Sequence, residues 1–589
     1  TNCFRGPMDR ITKSLIEELL KNWNLETQGE ARDFENFVNY SIISHEYNKT
    51  FSLDELSTGG GQDTGLDGVA IVVNGQILSD PDEAEDFLSN VGNNLEVDYI
   101  FTQSKTSSNF NASEIGTFLF GVEDFFSEEN RLPRNEIITK LALVSNLIFD
   151  QAAKFRRNPN VKIYYVTTGS WKEDDNLQSR INYSLESLSS TNLFNKINFY
   201  SLGAQEISKL YRKSKESIST TFQFSNRITI PDIKGVTEAY IGLLPYNEFL
   251  KIVSDEEQNL LNVFEDNVRD FQGENNDVNS GIANTIISEG SEIFSVLNNG
   301  VTIVANNIAL TGNQFTISDY QIVNGCQTSN VLYNSRGKEN IQKVNVPIKL
   351  IATTDDDIKI QITLATNNQT PIKKEQLASL TQFQRRLEDY YNSYEGDFRL
   401  YYERRAKQYN SDTSVLKSKI ITVPYQIKSF VAMFLDEPHN VTSFFGLIVR
   451  RLNDGKIKVF HDDHKYFPYY LSAYAYYKLD YLFKRGQIDP SYKKVKFHFL
   501  MLFRILNEPY ELPNLNSKKI EDYCETLFKI LNDPEKCIIA FNRCIEIVDR
   551  SGFIKSDKQD VKLVSKTKIL IDYCNNLKDT SCSANFSLT

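Results

Sequence analysis

The chain has 589 residues, enough for about three or four domains of ordinary size. With 40% hydrophobic and 24% charged residues it reads as globular, which excludes a disordered or fibrous chain. A net charge of −12 provides no general attraction to nucleic acid, so contact with a polyanion has to come from a local basic surface.

Met8 behind Gly6-Pro7 looks like a natural start after a protease-cleavage scar, so residues 1–7 are set aside. No charged-then-apolar secretory leader is present, and no run reaches the roughly 18 apolar residues of a membrane span. Residues 9–50 carry helical apolar spacing, first in ITKSLIEELLKNW and again through Phe34, Phe37, Val38 and Ile42. A glycine-rich turn, STGGGQDTGLDG, leads into VAIVVNGQIL, a predicted hairpin closed by Asn74-Gly75. DPDEAEDFLSN then reads as a short capped helix or an acidic excursion. DYIFTQSK follows inside a strand over about 96–105. The order continues as two helices, a strand (VKIYYVTTGS), a helix, a strand (KINFYSLG) and the helix AQEISKLYRKS.

This order predicts an α/β core in which helices cover a central mixed sheet. The polar stretch KESISTTFQFSNRITIPDIKG marks a boundary near 215–235. A mixed α/β module occupies 236–430, in which the chain turns mostly helical from about 355, and a tyrosine-rich helical region fills 431–589. The first block, 8–220, holds the α/β core. Five of the seven cysteines lie in the last 66 residues with no C-x-x-C among them, which points to reduced thiols in a cytoplasm and no structural zinc.

In DYIFTQSK, Tyr99, Ile100 and Phe101 suit a packed strand, whereas Gln103 and Lys105 share one face of its end. If the strand after the glycine-rich turn pairs with this one, Asp67 and Gln103 meet. A carboxylate and a second oxygen ligand suit Mg²⁺ (or Mn²⁺), and a lysine one pleat on can orient or help deprotonate a bound water. The same residues also read as a solvated strand end, with Asp67 capping a turn.

The arrangement resembles the PD-(D/E)xK nuclease superfamily, and the variant with Gln before x-Lys plus an upstream helix carrying Phe34-Glu35 is most similar to Mrr-type restriction endonucleases. The resemblance implies that Asp67 and Gln103 are metal ligands, Lys105 the catalytic lysine and Glu35 the helix acid, with Asp63 a weaker extra candidate. Gln103 departs from the pattern, since a neutral amide adds less to cation binding than a carboxylate. It also implies a dimer, because such cores need two copies to cut both strands.

Four further stretches stand out: VFEDNVRDFQG (263–273), IFSVLNNGVTIVANN (293–307), YQIVNGCQTSNVLY (320–333) and LATNNQTPIKKEQL (364–377). Their side-chain amides and hydroxyls, among them Asn298, Asn299, Asn324, Gln327, Thr328, Asn367, Asn368 and Gln369, either bind a polar ligand or satisfy their own loops. In this order, and with YYERRAKQY (401–409) behind them, these stretches resemble the AIPR family, named for abortive infection and phage resistance. That implies a bacterial defence protein whose nuclease domain damages nucleic acid, DNA more than RNA, with low basal activity until a phage component or nucleotide triggers it. The alternative is a nucleic-acid or nucleotide sensor whose nuclease-like fold lacks activity. IVNGCQTSNVL, a turn before a helix, also suits a phosphate, with Asn324, Gln327 and Thr328 (or Ser329) as contacts.

Residues 371–430 hold 11 Lys/Arg against seven Asp/Glu. Lys373, Lys374, Arg385, Arg386, Arg404 and Arg405 lie there among Phe383, Tyr390, Tyr391, Tyr401 and Tyr402, a mixture that can track a phosphate backbone and stack bases or form a solvated helical face. HDDH (461–464) is the other metal-like cluster, and its four consecutive positions read as a solvated loop.

Overall fold

Helix α1 (Arg10–Trp23) begins where Asp9 Oδ1 accepts the Ile11 and Thr12 N–H groups, at 2.9 Å each. The computed structural model describes residues 8–586 apart from 48, 54–55, 57, 59–63, 93–94, 128, 130, 173, 257, 259, 262, 265–288, 356–357, 360, 363–364, 366–370, 405–406, 444, 454, 509–510 and 554–559. Asp63 and nearly all of 263–273 fall outside the described residues, as do Asn367, Asn368, Gln369 and Arg405.

The protein is a mixed α/β fold with a helical C-terminal region, divided into two compact units. The first comprises Thr1–Ser214, Phe383–Arg404 and Asp412–Thr589; the second comprises Lys215–Gln382 and Arg405–Ser411.

The first unit contains helix α2 (Glu30–Glu46), strands β1 (Gly68–Val73) and β2 (Gln76–Ile77), helix α3 (Pro81–Asn90) and strand β3 (Val97–Lys105). Helices α4 (Ala112–Phe125) and α5 (Glu136–Phe149), strand β4 (Asn160–Thr167), helix α6 (Asp175–Ser190), strand β5 (Lys196–Leu202) and helix α7 (Ala204–Lys213) follow. The sheet order is β2-β1-β3-β4-β5, with β1 antiparallel to β3 and β3, β4 and β5 parallel. Asn74 and Gly75 take φ of 47° and 75°, the turn geometry expected of Asn-Gly between β1 and β2.

The two faces of β3 are buried for different reasons. Tyr99 and Phe101 pack into a core with Phe118 of α4, Ile138 of α5 and Ile181 of α6. Ile100, on the other face, packs with Phe34, Phe37 and Val38 of α2 and Tyr211 of α7. Burial on both faces is why these residues run apolar without alternation. Each large apolar side chain taken fully out of water contributes about 1.5–3 kcal/mol.

The pairing of β1 and β3 sets Gly68 opposite Thr102. A Cβ at Gly68 would overlap Asn39 Oδ1 of α2 and Thr102 Oγ1. Only glycine lets the strand approach the helix this closely.

The second unit carries strands β6 (Ser219–Gln223), β7 (Asn226–Thr229) and β8 (Glu238–Pro245), helix α8 (Tyr246–Val253), strands β9 (Val301–Thr311) and β10 (Gln314–Asn324), helix α9 (Cys326–Asn334) and strand β11 (Asn345–Ala352). Its sheet order is β6-β10-β9-β11-β8-β7. The polar stretch read as a boundary therefore supplies both edge strands. In β6 only Phe222 is buried, and edge strands with one packed residue look like linkers in sequence.

Helix α10 (Pro371–Asn392) leads back to the first unit, where β12 (Tyr401–Glu403) pairs in parallel with β13 (Ile420–Thr422). Helices α11 (Val423–Phe434), α12 (Pro438–Ser443), α13 (Phe445–Asn453), α14 (Phe467–Lys484), α15 (Lys496–Asn507), α16 (Lys519–Asn532), α17 (Pro534–Arg550) and α18 (Val564–Phe586) complete it. The tyrosines are core residues here: Tyr391, Tyr402, Tyr469, Tyr470 and Tyr474 are fully buried. Phe430 and Tyr469 stack at 3.9 Å and 2°. Gln426, also fully buried, donates to Tyr469 O at 2.9 Å and accepts the Tyr391 hydroxyl. Thr50 donates to Glu403 Oε2 at 2.7 Å and Lys494 meets Glu136 at 3.0 Å, joining these helices to the α/β layer. No helix among the described residues is long and apolar enough to cross a membrane.

Gly68→Ala is expected to lower the unfolding free energy by about 1–3 kcal/mol, because the added methyl has to push α2 from β1; denaturant unfolding measures it. Burial lowers the imidazole of His464 to about 4 and that of His498 to about 3. Both rings stay neutral when folded but take up a proton near pH 6.5 when unfolded. Their contribution is thus complete above about pH 6.5 and is lost as pH falls toward 4, by up to about 1.4 kcal/mol per pH unit for each ring. Unfolding at pH 7, 5.5 and 4.5 checks this, and His498→Leu should flatten the profile.

Candidate functional site

The residue before β1 extends its pairing, since Asp67 N–H donates to Thr102 O at 2.9 Å. That brings Asp67 to the end of β3. Its carboxylate turns toward Ser104, with Oδ2 accepting the Ser104 N–H at 2.7 Å and the Ser104 hydroxyl at 3.0 Å. The Asp67 carbonyl accepts from Asn39 Nδ2 at 3.2 Å, and Asn39 Oδ1 accepts the Thr102 hydroxyl. Asn39 and Thr102, both buried, thus tie α2 to this strand end.

Gln103 projects to the opposite face and is 4% exposed. Its Oε1 is buried with no hydrogen-bond partner. Leaving a buried acceptor unmade costs about 1–3 kcal/mol, so a group that draws on Oε1 has that much to relieve. A Cβ at Gly65 would lie 3.4 Å from Gln103 Nε2, ordinary contact, so the glycine turn closes over the amide. Across the parallel register Gln103 lies beside Tyr165, whose hydroxyl donates to Glu114 Oε2 at 3.0 Å. Burial first, then the charges of Glu114 and Asp67, push the Tyr165 phenol far above its ordinary value, so it remains a neutral donor. Lys105, partly exposed, ends the strand on the face of Gln103.

Glu35 lies on α2 one turn before Asn39, with its side chain 15% exposed and paired with Arg32. It belongs to the α2 side of the sheet, with Thr102 and Ser104, whereas Gln103 and Lys105 face α4. Among the described residues the carboxylates of Glu35, Asp67 and Glu114 do not converge as a three-ligand group. The candidate donors at the strand end, the Asp67 carboxylate on the Ser104 side and the Gln103 amide carbonyl on the other face, are oxygens, which suit a hard divalent cation better than a thiophilic one.

Sequence reasoning missed Ser104, Asn39, Tyr165 and Glu114. Asn39 carried a usable signal, an amide within the apolar stripe FENFVNYS. Glu114 carried none, because helix-start carboxylates are common.

Other predicted contacts are divided. Asn298 Oδ1 accepts the Gly300 N–H at 2.9 Å and lies 3.5 Å from Thr328 Oγ1, so these two groups serve their own turns. Asn324 ends β10, and Gln327 belongs to α9. Gly325, at φ 85°, packs against Gly300, which joins the Asn-Asn-Gly and Asn-Gly turns at one sheet end. Of the basic residues, Arg404 pairs with Glu388 in a mostly buried contact, Arg386 is exposed and Arg385 half-buried, while Lys373 and Lys374 lie on α10. Phe383, Tyr391 and Tyr402 are buried in the helical core and offer no face to a base.

In HDDH, one ligand atom each of His461, Asp463 and His464 falls within 4.8 Å of the others. Tyr469 Oη, fully buried, accepts the Phe460 N–H at 2.7 Å and lies 2.9 Å from His464 Nδ1. His464 Nδ1 is thereby engaged by the Tyr469 hydroxyl, whichever of the two donates.

The family model described as AIPR protein matches residues 264–533, somewhat less than half of the chain. The sheet of β1–β5 lies outside the matched segment. No curated protein and no solved structure matches the chain.

Gln103→Met is expected to raise the unfolding free energy by about 1 kcal/mol, because it removes a buried acceptor without emptying the space. Denaturant unfolding without divalent metal reads it.

Proposed function

We propose that this chain is a metal-dependent nuclease of bacterial anti-phage defence, acting by abortive infection and hydrolysing phosphodiester bonds, in DNA more than RNA. The observation that carries the reading is the buried, unpartnered Oε1 of Gln103 at the end of β3, with Lys105 on the same strand face and the Asp67 carboxylate held by Ser104 at that strand end. The similarity of residues 264–533 to the AIPR family model supports the defence role.

Asp67 and Gln103 would hold Mg²⁺ or Mn²⁺ in this reading, while Glu35, paired with Arg32 on the α2 side of the sheet, stands outside this ligand pair. The cation supplies Lewis acidity toward the phosphate and lowers the pKa of bound water. Lys105 orients the attacking water and offsets charge that builds on the phosphate oxygens. Ser104 holds the Oδ2 oxygen of Asp67 through its N–H and its hydroxyl. Tyr165 and Glu114 wall the site on the α4 side. Lys373, Lys374, Arg385 and Arg386 are the basic residues offered to nucleic acid in this reading, and a dimer presents two nuclease sites to a duplex. Basal activity is low until a phage-derived or nucleotide trigger acts, and the protein works in the cytoplasm.

A second reading, a nuclease-derived sensor without activity, is favoured by the two hydrogen bonds that Ser104 already gives Asp67. The two readings separate experimentally. Plasmid, single-stranded DNA and RNA are offered to the wild type and to Lys105→Ala, with Mg²⁺, Mn²⁺ or chelator and with phage lysate as trigger. The nuclease reading expects metal-dependent cutting that falls at least about 100-fold in Lys105→Ala. Equal cutting by both proteins, or none under any condition, overturns it. Calorimetry with Mn²⁺ is expected to give one site that Asp67→Ala abolishes and Gln103→Glu tightens about tenfold, since the added carboxylate attracts the ion more strongly. No metal heat supports the sensor.

A further inference from the structure

The first unit contains a cavity of about 230 Å³, open to solvent on one side, that belongs neither to the end of β3 nor to the segments resembling a known family's motifs there. Its wall on the α/β side is Ser52, Ser79 and Lys140 of α5. Its wall on the helical side is Tyr425 of α11, Tyr476 of α14 and Lys496, the first residue of α15.

The chemistry of this lining is selective. The rings of Tyr425 and Tyr476 lie 5.3 Å apart at 32°, a paired aromatic surface exposed to a cavity instead of sealed in a core. Lys496 Nζ stands 5.3 Å from the Tyr476 ring centre and 3.3 Å from its hydroxyl, which holds the ammonium at the cavity wall. Lys140 of α5 also lines the cavity. Its neighbour Glu136 is shared with Lys494, at 2.9 and 3.0 Å, and the hydrogen bonds from Lys140 and then Lys494 hold that carboxyl down to about 2. Asp480, the one carboxylate on the wall, is engaged by Lys484 at 2.8 Å. Two lysines, Lys140 and Lys496, thus line the cavity against one carboxylate that Lys484 already engages, which leaves a positive wall in a chain whose net charge is −12. Two serine hydroxyls complete the set.

Cations beside a paired aromatic surface are what a molecule with an anionic end and a flat ring requires. We propose that this cavity binds a nucleoside phosphate, its phosphates between Lys140 and Lys496 with the Ser52 and Ser79 hydroxyls, and its base against Tyr425 and Tyr476. The volume takes part of such a ligand and the open side leaves the rest in solvent. Because the walls come from both the α/β layer and the C-terminal helices, the ligand clamps the two together and stabilises the unit by mass action. The site is independent of the nuclease reading.

Calorimetry on the full chain, in chelator so that no metal contributes, tests it with ATP and GTP as probes and with adenosine and pyrophosphate as half-ligands. One saturable site is expected for at least one of the nucleotides, with a rise in melting temperature. Each half-ligand should bind at least about tenfold more weakly than the whole nucleotide. Lys496→Gln and Tyr476→Leu should each weaken binding by about tenfold, and Asp67→Ala should leave it unchanged. Lys496→Gln, at a half-exposed position, keeps the test valid if Tyr476→Leu melts early. The proposal is overturned if neither nucleotide gives saturable heat, if Lys496→Gln binds as the wild type does, or if pyrophosphate binds as tightly as the nucleotides.

Discussion

The close approach of β1 to α2 at Gly68 is the constraint on which the end of β3 depends. With no Cβ in the way, Asn39 reaches both Thr102 and the carbonyl of Asp67, and the strand register is locked by side-chain bonds as well as the ladder. A one-residue slip would exchange the two faces of β1 against β3. It would also carry Asp67 away from Ser104. Buried amides and hydroxyls that are fully paired favour one arrangement over its neighbours, because each alternative strands a polar group in the core.

Around that locked register the strand end divides its labour between two faces. Thr102 and Ser104 belong to the α2 side, where hydrogen bonds hold Asp67 in place. Gln103 and Lys105 belong to the α4 side, where Tyr165 and Glu114 form the wall. A well-packed β-sheet of this size has little reason to bury an amide carbonyl without a partner. Gln103 does so between a satisfied Asp67 and a tyrosine kept neutral by its surroundings.

The helical region works by a different principle. Its tyrosines pack ring against ring, and the hydroxyls of Tyr470, Tyr391 and Tyr469 are engaged by the Phe398 carbonyl, Gln426 and His464, so residues that look like a recognition surface in sequence are the core. Its cysteines are buried as well: Cys524, Cys537 and Cys544 all have thiols raised by burial, which makes them packing residues with little thiolate character. The half-buried aromatic pair at Tyr425 and Tyr476, which lines a cavity, differs from this background.

Much of the fold was legible in the sequence, because apolar periodicity and turn chemistry are local. The Asn74-Gly75 hairpin, the Asp80-capped helix, the strand ending at Lys105 and each helix to Lys213 follow from residues within a few positions of one another. The antiparallel pairing of the strand after Asp67 with the strand of Gln103 was legible as well. Edge strands β6 and β7 were read as a linker because an unpaired edge is polar in sequence. What only the tertiary structure decided was long-range. It set Glu35 and Gln103 on opposite faces of one sheet, turned Asp67 to Ser104, brought Glu114 to Tyr165 across 51 residues and returned the chain from Phe383 onward to the N-terminal unit. Those contacts depend on how whole elements pack, and packing is a property of shapes that meet, which no local window of residues contains.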